Sequence, residues 1–308
     1  MDFFFTLNQI LALFLIVLVG LIFGKLGFAS ESFRNDLNGF LINISLPCTI
    51  IQSMLIDYTP EILHNILWIL FLSFCNIIGS MLLAKVFLPA FGKVDDKAKA
   101  VYRYGLIFSN FGFMGMPICQ ALFGETGLLY AAVFGIPYNI VFYIYGAILM
   151  DQSGGAKRKI SWRDFVTPIN VSIVIGLILF CAQIKLPTAL GTVLQQFSNT
   201  TTPLAMAVAG MLLSTSSFRE AFKGYRVYLF SFFRLLVIPA IGFGILKLCG
   251  FSGMLLNVPV IMLGMPVAAN VTIMAAFYNS DSYLAARLVF VSTLLSVISI
   301  PIIALFLL

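Results

Sequence analysis

Residues 114–117 read Met114-Gly115-Met116-Pro117, and residues 263–266 read Leu263-Gly264-Met265-Pro266. Each quartet lies inside a long apolar stretch, 101–123 for the first and 254–278 for the second. Proline removes a backbone donor and clashes with the preceding turn, and glycine adds backbone freedom. A Gly-x-Pro unit is therefore expected to interrupt its helix. In a hydrocarbon setting the bared backbone groups would cost several kcal/mol, so such an interruption survives only when it is buried in protein or lines a cavity. One such unit reads as a packing kink. Two, in corresponding places, read as a designed pair.

The surroundings are hydrocarbon-like from end to end. Of 308 residues 61% are hydrophobic and only 10% charged, with a mean hydropathy of +1.05. Soluble domains carry about 25% charged residues. A spanning helix needs about 20 mostly apolar residues, and ten stretches qualify: 6–27, 37–55, 63–88, 101–123, 127–150, 166–185, 192–213, 226–248, 254–278 and 283–307. The expected fold class is an all-α polytopic membrane protein. The net charge of +6 is spread over short clusters between apolar stretches, with no aromatic-interleaved basic stripe for nucleic acid. Cys48, Cys75, Cys119, Cys181 and Cys249 lie singly within apolar stretches, which points to packed thiols and to neither disulfides nor a metal site.

The basic residues orient the bundle. With the N-terminus outside, successive inner loops collect Lys25 and Arg34, then Lys85 to Arg103, then Lys157 to Arg163, then Arg219, Lys223 and Arg226, and finally Arg287. Only Lys185 and Lys247 fall outside, and Arg234 lies within a span. Both termini are expected outside the cell membrane.

The two halves echo one another. Asn43-x-x-x-Pro47 matches Asn199-x-x-x-Pro203, the two Gly-Met-Pro units match, and Leu129-Tyr130-Ala131-Ala132 answers Tyr283-Leu284-Ala285-Ala286. The expected domains are a first five-helix repeat over 1–150, a cytoplasmic connecting loop over 151–165 and a second repeat over 166–308. Five is odd, so the second repeat enters the membrane from the opposite side. Inverted repeats with broken helices at the midplane are a recurrent architecture of secondary transporters. Helices 4 and 9 are then the broken, crossing pair. Their half-helices are expected to offer free N–H groups and positive dipole ends, a setting for an anion.

Candidate binding residues follow: Asn110, Gly115, Pro117, Gln120 and Asn139 in the first repeat, and Gly264, Pro266 and Asn270 in the second. Asn and Gln amides bond equally well to a carboxylate or to freed backbone groups. No Asp or Glu lies in the middle of an expected span, and His64 sits near an outer boundary, so an intramembrane carboxylate relay is not expected. Glu125 and Asp281, in corresponding turns, are the remaining coupling candidates; helix capping is the plainer role for each. Arg234 is the one charge well inside a span. It either snorkels, bonds a carbonyl, or draws anions inward. With one histidine and no His-Glu-x-x-His pattern, the usual hydrolytic constellations are missing, and no cofactor site is apparent.

Ser109-Asn110-Phe-Gly-Phe-Met-Gly115-Met-Pro117, with Leu122-Phe-Gly124 and Gly127-Leu-Leu-Tyr130-Ala131, resembles the helix 4 to helix 5 region of the auxin efflux carrier family. Met265-Pro266-Val-Ala-Ala, Tyr278-Asn-Ser-Asp281 and Ser292-Thr-Leu-Leu-Ser296 resemble its helices 9 and 10. The family includes plant auxin carriers and bacterial malate or malonate permeases. The resemblance implies a scaffold domain of helices 1, 2, 6 and 7, a transport domain of helices 3–5 and 8–10, and a homodimer formed through the scaffold. It implies substrate contacts at Asn110, Pro117 and Pro266. The loop at 151–165 is short where plant members have a long one, which argues against auxin and against loop phosphorylation. The expected function is a secondary carrier for a small organic anion in the lipid bilayer; the alternative is a membrane sensor using the same fold.

Overall fold

The computed structural model describes residues 3–151, 166–214, 221–268 and 270–307; all of the connecting loop except Asp151 lies outside them. Every regular element among the described residues is helical. In chain order they are α1 (Phe3–Lys25), α2 (Glu31–Phe40), α3 (Leu46–Ser53), α4 (Pro60–Phe87), α5 (Asp96–Ile107), α6 (Met116–Asp151) and α7 (Pro168–Ala182). After these come α8 (Thr188–Ser214), α9 (Tyr225–Phe232), α10 (Ile238–Leu248), α11 (Met254–Gly264), α12 (Asn270–Phe277) and α13 (Ser282–Leu307). Among the described residues four helical runs are long and apolar enough to cross a bilayer alone: Pro60–Phe91, Phe111–Met150, Tyr225–Leu248 and Ser282–Leu307. Shorter apolar helices accompany them at Ile10–Lys25, Pro168–Ala182 and Met254–Gly264.

Three short π-helical turns occur among the described residues: Leu41–Ser45 and Phe233–Val237 join helices end to end, and Phe111–Gly115 opens α6 directly after Asn110. Each stops two residues before a proline, at Pro47, Pro117 and Pro239. The cause is local. A proline has no N–H to give and its ring presses on the carbonyl four residues back; widening the upstream turn to i→i+5 bonding moves that carbonyl aside while the helix continues.

This corrects one expectation. Gly115-Met116-Pro117 does not break its helix, because the widened turn absorbs the proline: Gly115 closes that turn and Pro117 is the second residue of α6. The interruption lies upstream, at Phe108–Asn110, where Phe108 is extended at φ −101°, ψ 116°. In the second half the interruption does fall on the motif, with α11 ending at Gly264 and Met265 extended at φ −68°, ψ 147°. The two Gly-Met-Pro units therefore occupy different structural positions. Further along, Gly124 at φ 67°, ψ −157° divides α6, near the expected turn at Glu125.

The chain divides into two compact units: residues 1–70, 112–136 and 162–215 form the first, and residues 71–111, 137–161 and 216–308 the second. In the first, α1 and α8 approach backbone to backbone. A Cβ on Gly20 would stand 2.1 Å from the Ala207 carbonyl oxygen, and one on Gly210 would stand 2.0 Å from that of Val17. Without a hydrophobic drive between helices in lipid, such small-residue contacts are what holds them together. Buried Thr49 on α3 donates to Thr201 on α8 at 2.7 Å.

In the second unit, aromatic rings fill the space between helices. Tyr104, Phe108, Phe142 and Tyr138 pack with ring centroids 4.7–5.6 Å apart. Phe91 stacks on Tyr102 at 4.3 Å and Phe87 on Phe233 at 4.4 Å.

Candidate functional site

The centre of the second unit is a crossing of two interrupted helices. Ser109 and Val267 form an antiparallel bridge. The Asn110 N–H donates to the Pro266 carbonyl at 2.7 Å, and the Ala268 N–H to the Phe108 carbonyl at 3.3 Å. Extended backbone inside an apolar core must satisfy its polar groups locally, and here the two breaks satisfy each other. Two side chains complete the set. The Tyr138 hydroxyl accepts from the Ser109 N–H and lies 3.2 Å from the Ser109 hydroxyl, and the Val267 N–H donates to the Ser292 hydroxyl at 3.2 Å.

Arg234 is the one charged side chain that is buried among the described residues, at 0% exposure. Its position follows from helical spacing, since Val227, Phe230 and Ser231 are the buried residues of the preceding helix. Nε donates to the Met265 carbonyl at 3.1 Å and Nη1 to the Leu106 carbonyl at 3.0 Å. Those carbonyls stand at the C-terminal ends of α11 and α5, where each helix presents about half a negative charge. Two such ends match one guanidinium in magnitude, which explains how an unpaired cation is tolerated. Nη2 is buried and has no hydrogen-bond partner. Of the sequence alternatives for Arg234, carbonyl bonding is what the structure contains, and snorkelling is not.

Asn110 is 7% exposed, and its side-chain amide makes no hydrogen bond with the described residues. Through its backbone N–H on Pro266, Asn110 is held at the same interruption whose Met265 carbonyl Arg234 binds. Asn110, Pro266 and Arg234 are thus brought together, Gly264 closes α11, and Asn270 opens α12. Asn139 follows Tyr138 on α6.

The remaining candidates are placed differently. Gly115, Pro117, Gln120 and Glu125 belong to the first unit. There the Gln120 amide donates to Glu125 at 3.0 Å and accepts from Thr202 at 3.2 Å, so Gln120 is engaged within its own unit. Asp281 caps α13 by accepting from the Leu284 N–H at 2.8 Å. The sequence reading assigned no bonding role to Tyr138 or Ser292. The available signal for Ser292 was a row of hydroxyls at 292, 293, 296 and 299 along the last helix.

A family model described as a membrane transport protein matches residues 5–304. The chain belongs to that family. It is the auxin efflux carrier family that the motifs around Asn110 and Pro266 resemble. This member is 28% identical over 299 residues to an uncharacterized transporter of Methanothermobacter thermautotrophicus, covering 96% of each chain. It is 25% identical over 299 residues to an uncharacterized transporter of Methanocaldococcus jannaschii, again covering 96% of each. The crossing described above is therefore a feature of a multi-pass membrane transport protein.

Proposed function

We propose that this chain is a secondary carrier that moves a small organic anion, a carboxylate, across the cell membrane by alternating access at the crossing. In this reading ten spans form two inverted five-helix repeats. Helices 1, 2, 6 and 7 form a scaffold that pairs two protomers, helices 3–5 and 8–10 move, and both termini lie outside. The observation that carries the reading is Arg234: a fully buried cation bonded to the ends of two interrupted helices, with Nη2 unclaimed. The unclaimed Asn110 amide and the positive N-terminal end of α12 supply the rest of an anion's first contacts. A carboxylate accepts two N–H bonds side by side, which suits a guanidinium and an amide better than a point cation would.

The test is an uptake screen in proteoliposomes, with carboxylates, amines and neutral solutes offered under imposed proton, sodium and voltage gradients. The expected result is saturable uptake of a carboxylate class, inhibited by related carboxylates. Uptake confined to cations or neutral solutes, indifferent to carboxylates, would overturn the proposal. For the topology, a cysteine placed at position 156 in a thiol-free background is expected to resist an impermeant reagent added outside intact cells; its labelling would sink the ten-span arrangement.

A further inference from the structure

Away from the crossing, the second unit holds a cavity of about 370 Å³ where the starts of three helices converge. Ala98 and Tyr102 come from α5, Lys223 to Val227 from the entry to α9, and Asp281 to Arg287 from the start of α13. Two of these helix starts are already closed by carboxylates: Asp95 accepts from the Ala98 N–H at 2.8 Å, and Asp281 from the Leu284 N–H at 2.8 Å. The third is not. Gly224, φ 81°, precedes α9 and offers no side-chain cap, and Lys223 to Val227 line the same space as the cations around it.

Lys223, Arg226 and Arg287 line this cavity. Neither arginine has a carboxylate within 4 Å among the described residues. Each spends one terminal nitrogen on a backbone carbonyl, Arg226 on Lys93 at 3.4 Å and Arg287 on Lys223. Each also keeps its Nε buried without a hydrogen-bond partner. Among the described lining residues Lys223, Arg226 and Arg287 stand with Asp281, and together with the uncapped start of α9 the two arginines make a concave site for a multiply charged oxyanion.

We propose that this cavity binds a phosphate group, separately from the transported anion. On the orientation given under Proposed function, all three contributing segments lie at the inner membrane face. Tyr225 and Tyr283 at the rim are 64% and 56% exposed, which places the cavity at the depth where tyrosines favour the headgroup region. A phosphodiester of an anionic lipid and a free phosphate compound present the same oxygens, so the chemistry is shared and the source is a matter for the test. A bound phosphate ties α5, α9 and α13 together at one end.

The experiment measures binding and needs no transport, so it stands apart from the identity of the carried anion. Purified protein in nanodiscs of phosphatidylcholine alone, or with phosphatidylglycerol added, is followed by thermal unfolding. In a parallel arm the phosphatidylcholine sample is titrated with inorganic phosphate. Arg226→Gln and Lys223→Gln test the site, and Lys185→Gln and Lys247→Gln serve as charge-matched controls. The expected result is stabilisation by phosphatidylglycerol or by inorganic phosphate, with affinity falling about tenfold in R226Q and unchanged in both controls. Stabilisation in the lipid arm alone assigns the site to a headgroup; stabilisation by inorganic phosphate assigns it to a soluble compound. Lys223 is exposed, so K223Q folds even where R226Q does not and must show the same loss. No stabilisation in either arm, or an equal loss in site and control variants, overturns the proposal.

Discussion

Replacing Arg234 by Met removes a charge from the crossing while keeping an unbranched apolar stem. The consequences for folding and for binding differ in size. On the folding side, the Leu106 and Met265 carbonyls lose donors at 3.0 and 3.1 Å. An unsatisfied buried group costs about 1–3 kcal/mol, so the pair costs about 2–6 kcal/mol. Against that, the cation's own desolvation, several kcal/mol even after relaxation, is no longer incurred. The two nearly cancel, and the expected change in stability is within about 2 kcal/mol of wild type. On the binding side nothing cancels. A hydrogen bond to a charged group contributes about 1.5–3 kcal/mol, so affinity for a carboxylate is expected to fall roughly tenfold to a hundredfold. Arg234→Lys keeps the charge but cannot span two carbonyls and a ligand, and is expected to lie between. The assay is substrate-induced thermal stabilisation titrated against concentration, each variant read against its own ligand-free unfolding temperature. R234M binding the transported carboxylate within twofold of wild type would show that Nη2 is not directed at it, and the reading of the crossing as an anion site would go.

Asn110→Ala is expected to cost affinity of the same order, while Asn43→Ala, whose amide donates to the Gly39 carbonyl at 2.8 Å, leaves affinity unchanged in the same titration. Tyr138→Phe leaves the buried Ser109 N–H without its acceptor and is expected to lower stability by about 1–3 kcal/mol, read by thermal unfolding. Gly210→Ala drives a Cβ to 2.0 Å from the Val17 carbonyl oxygen; α1 and α8 must separate, at about 1–3 kcal/mol for overpacking, whereas Gly191→Ala, with nothing within 4 Å, is neutral by the same measurement. Pro117→Ala returns a donor to the helix and is expected to draw the turn at Phe111–Gly115 back to α geometry, with protein yield kept and uptake lowered at least about tenfold, or 1.4 kcal/mol.

The membrane class was legible because charge is a solvent signal: long apolar stretches separated by basic clusters have one solution. Arg234 was legible as an anomaly for the same reason. Its partners were not, since Leu106 and Met265 contribute backbone carbonyls, and carbonyls carry no residue signature. The interruption at Phe108–Asn110 was misplaced onto Pro117 for a physical reason as well. A proline announces that a helix is disturbed without saying whether the disturbance ends it or widens one turn. Ser109 and Asn110 were the better signal, because short polar side chains compete with helical backbone bonding. Gln120 as a binding candidate and Glu125 as a coupling candidate stand out in the sequence because polar groups in and beside apolar stretches are few. The structure shows how such groups are also consumed in pairing with each other.

The widened turns before Pro47, Pro117 and Pro239 have a consequence for how faces are drawn on these helices. Each adds one residue to a turn without adding a turn, so everything beyond it is rotated by about 100° relative to an unbroken wheel. A stripe that faces lipid upstream of Leu41 or Phe233 turns away from it downstream, although the chain never leaves the helix. Hydrophobic stripes traced straight through these positions cancel themselves, and a single helical run has two inward directions, one on either side of the bulge.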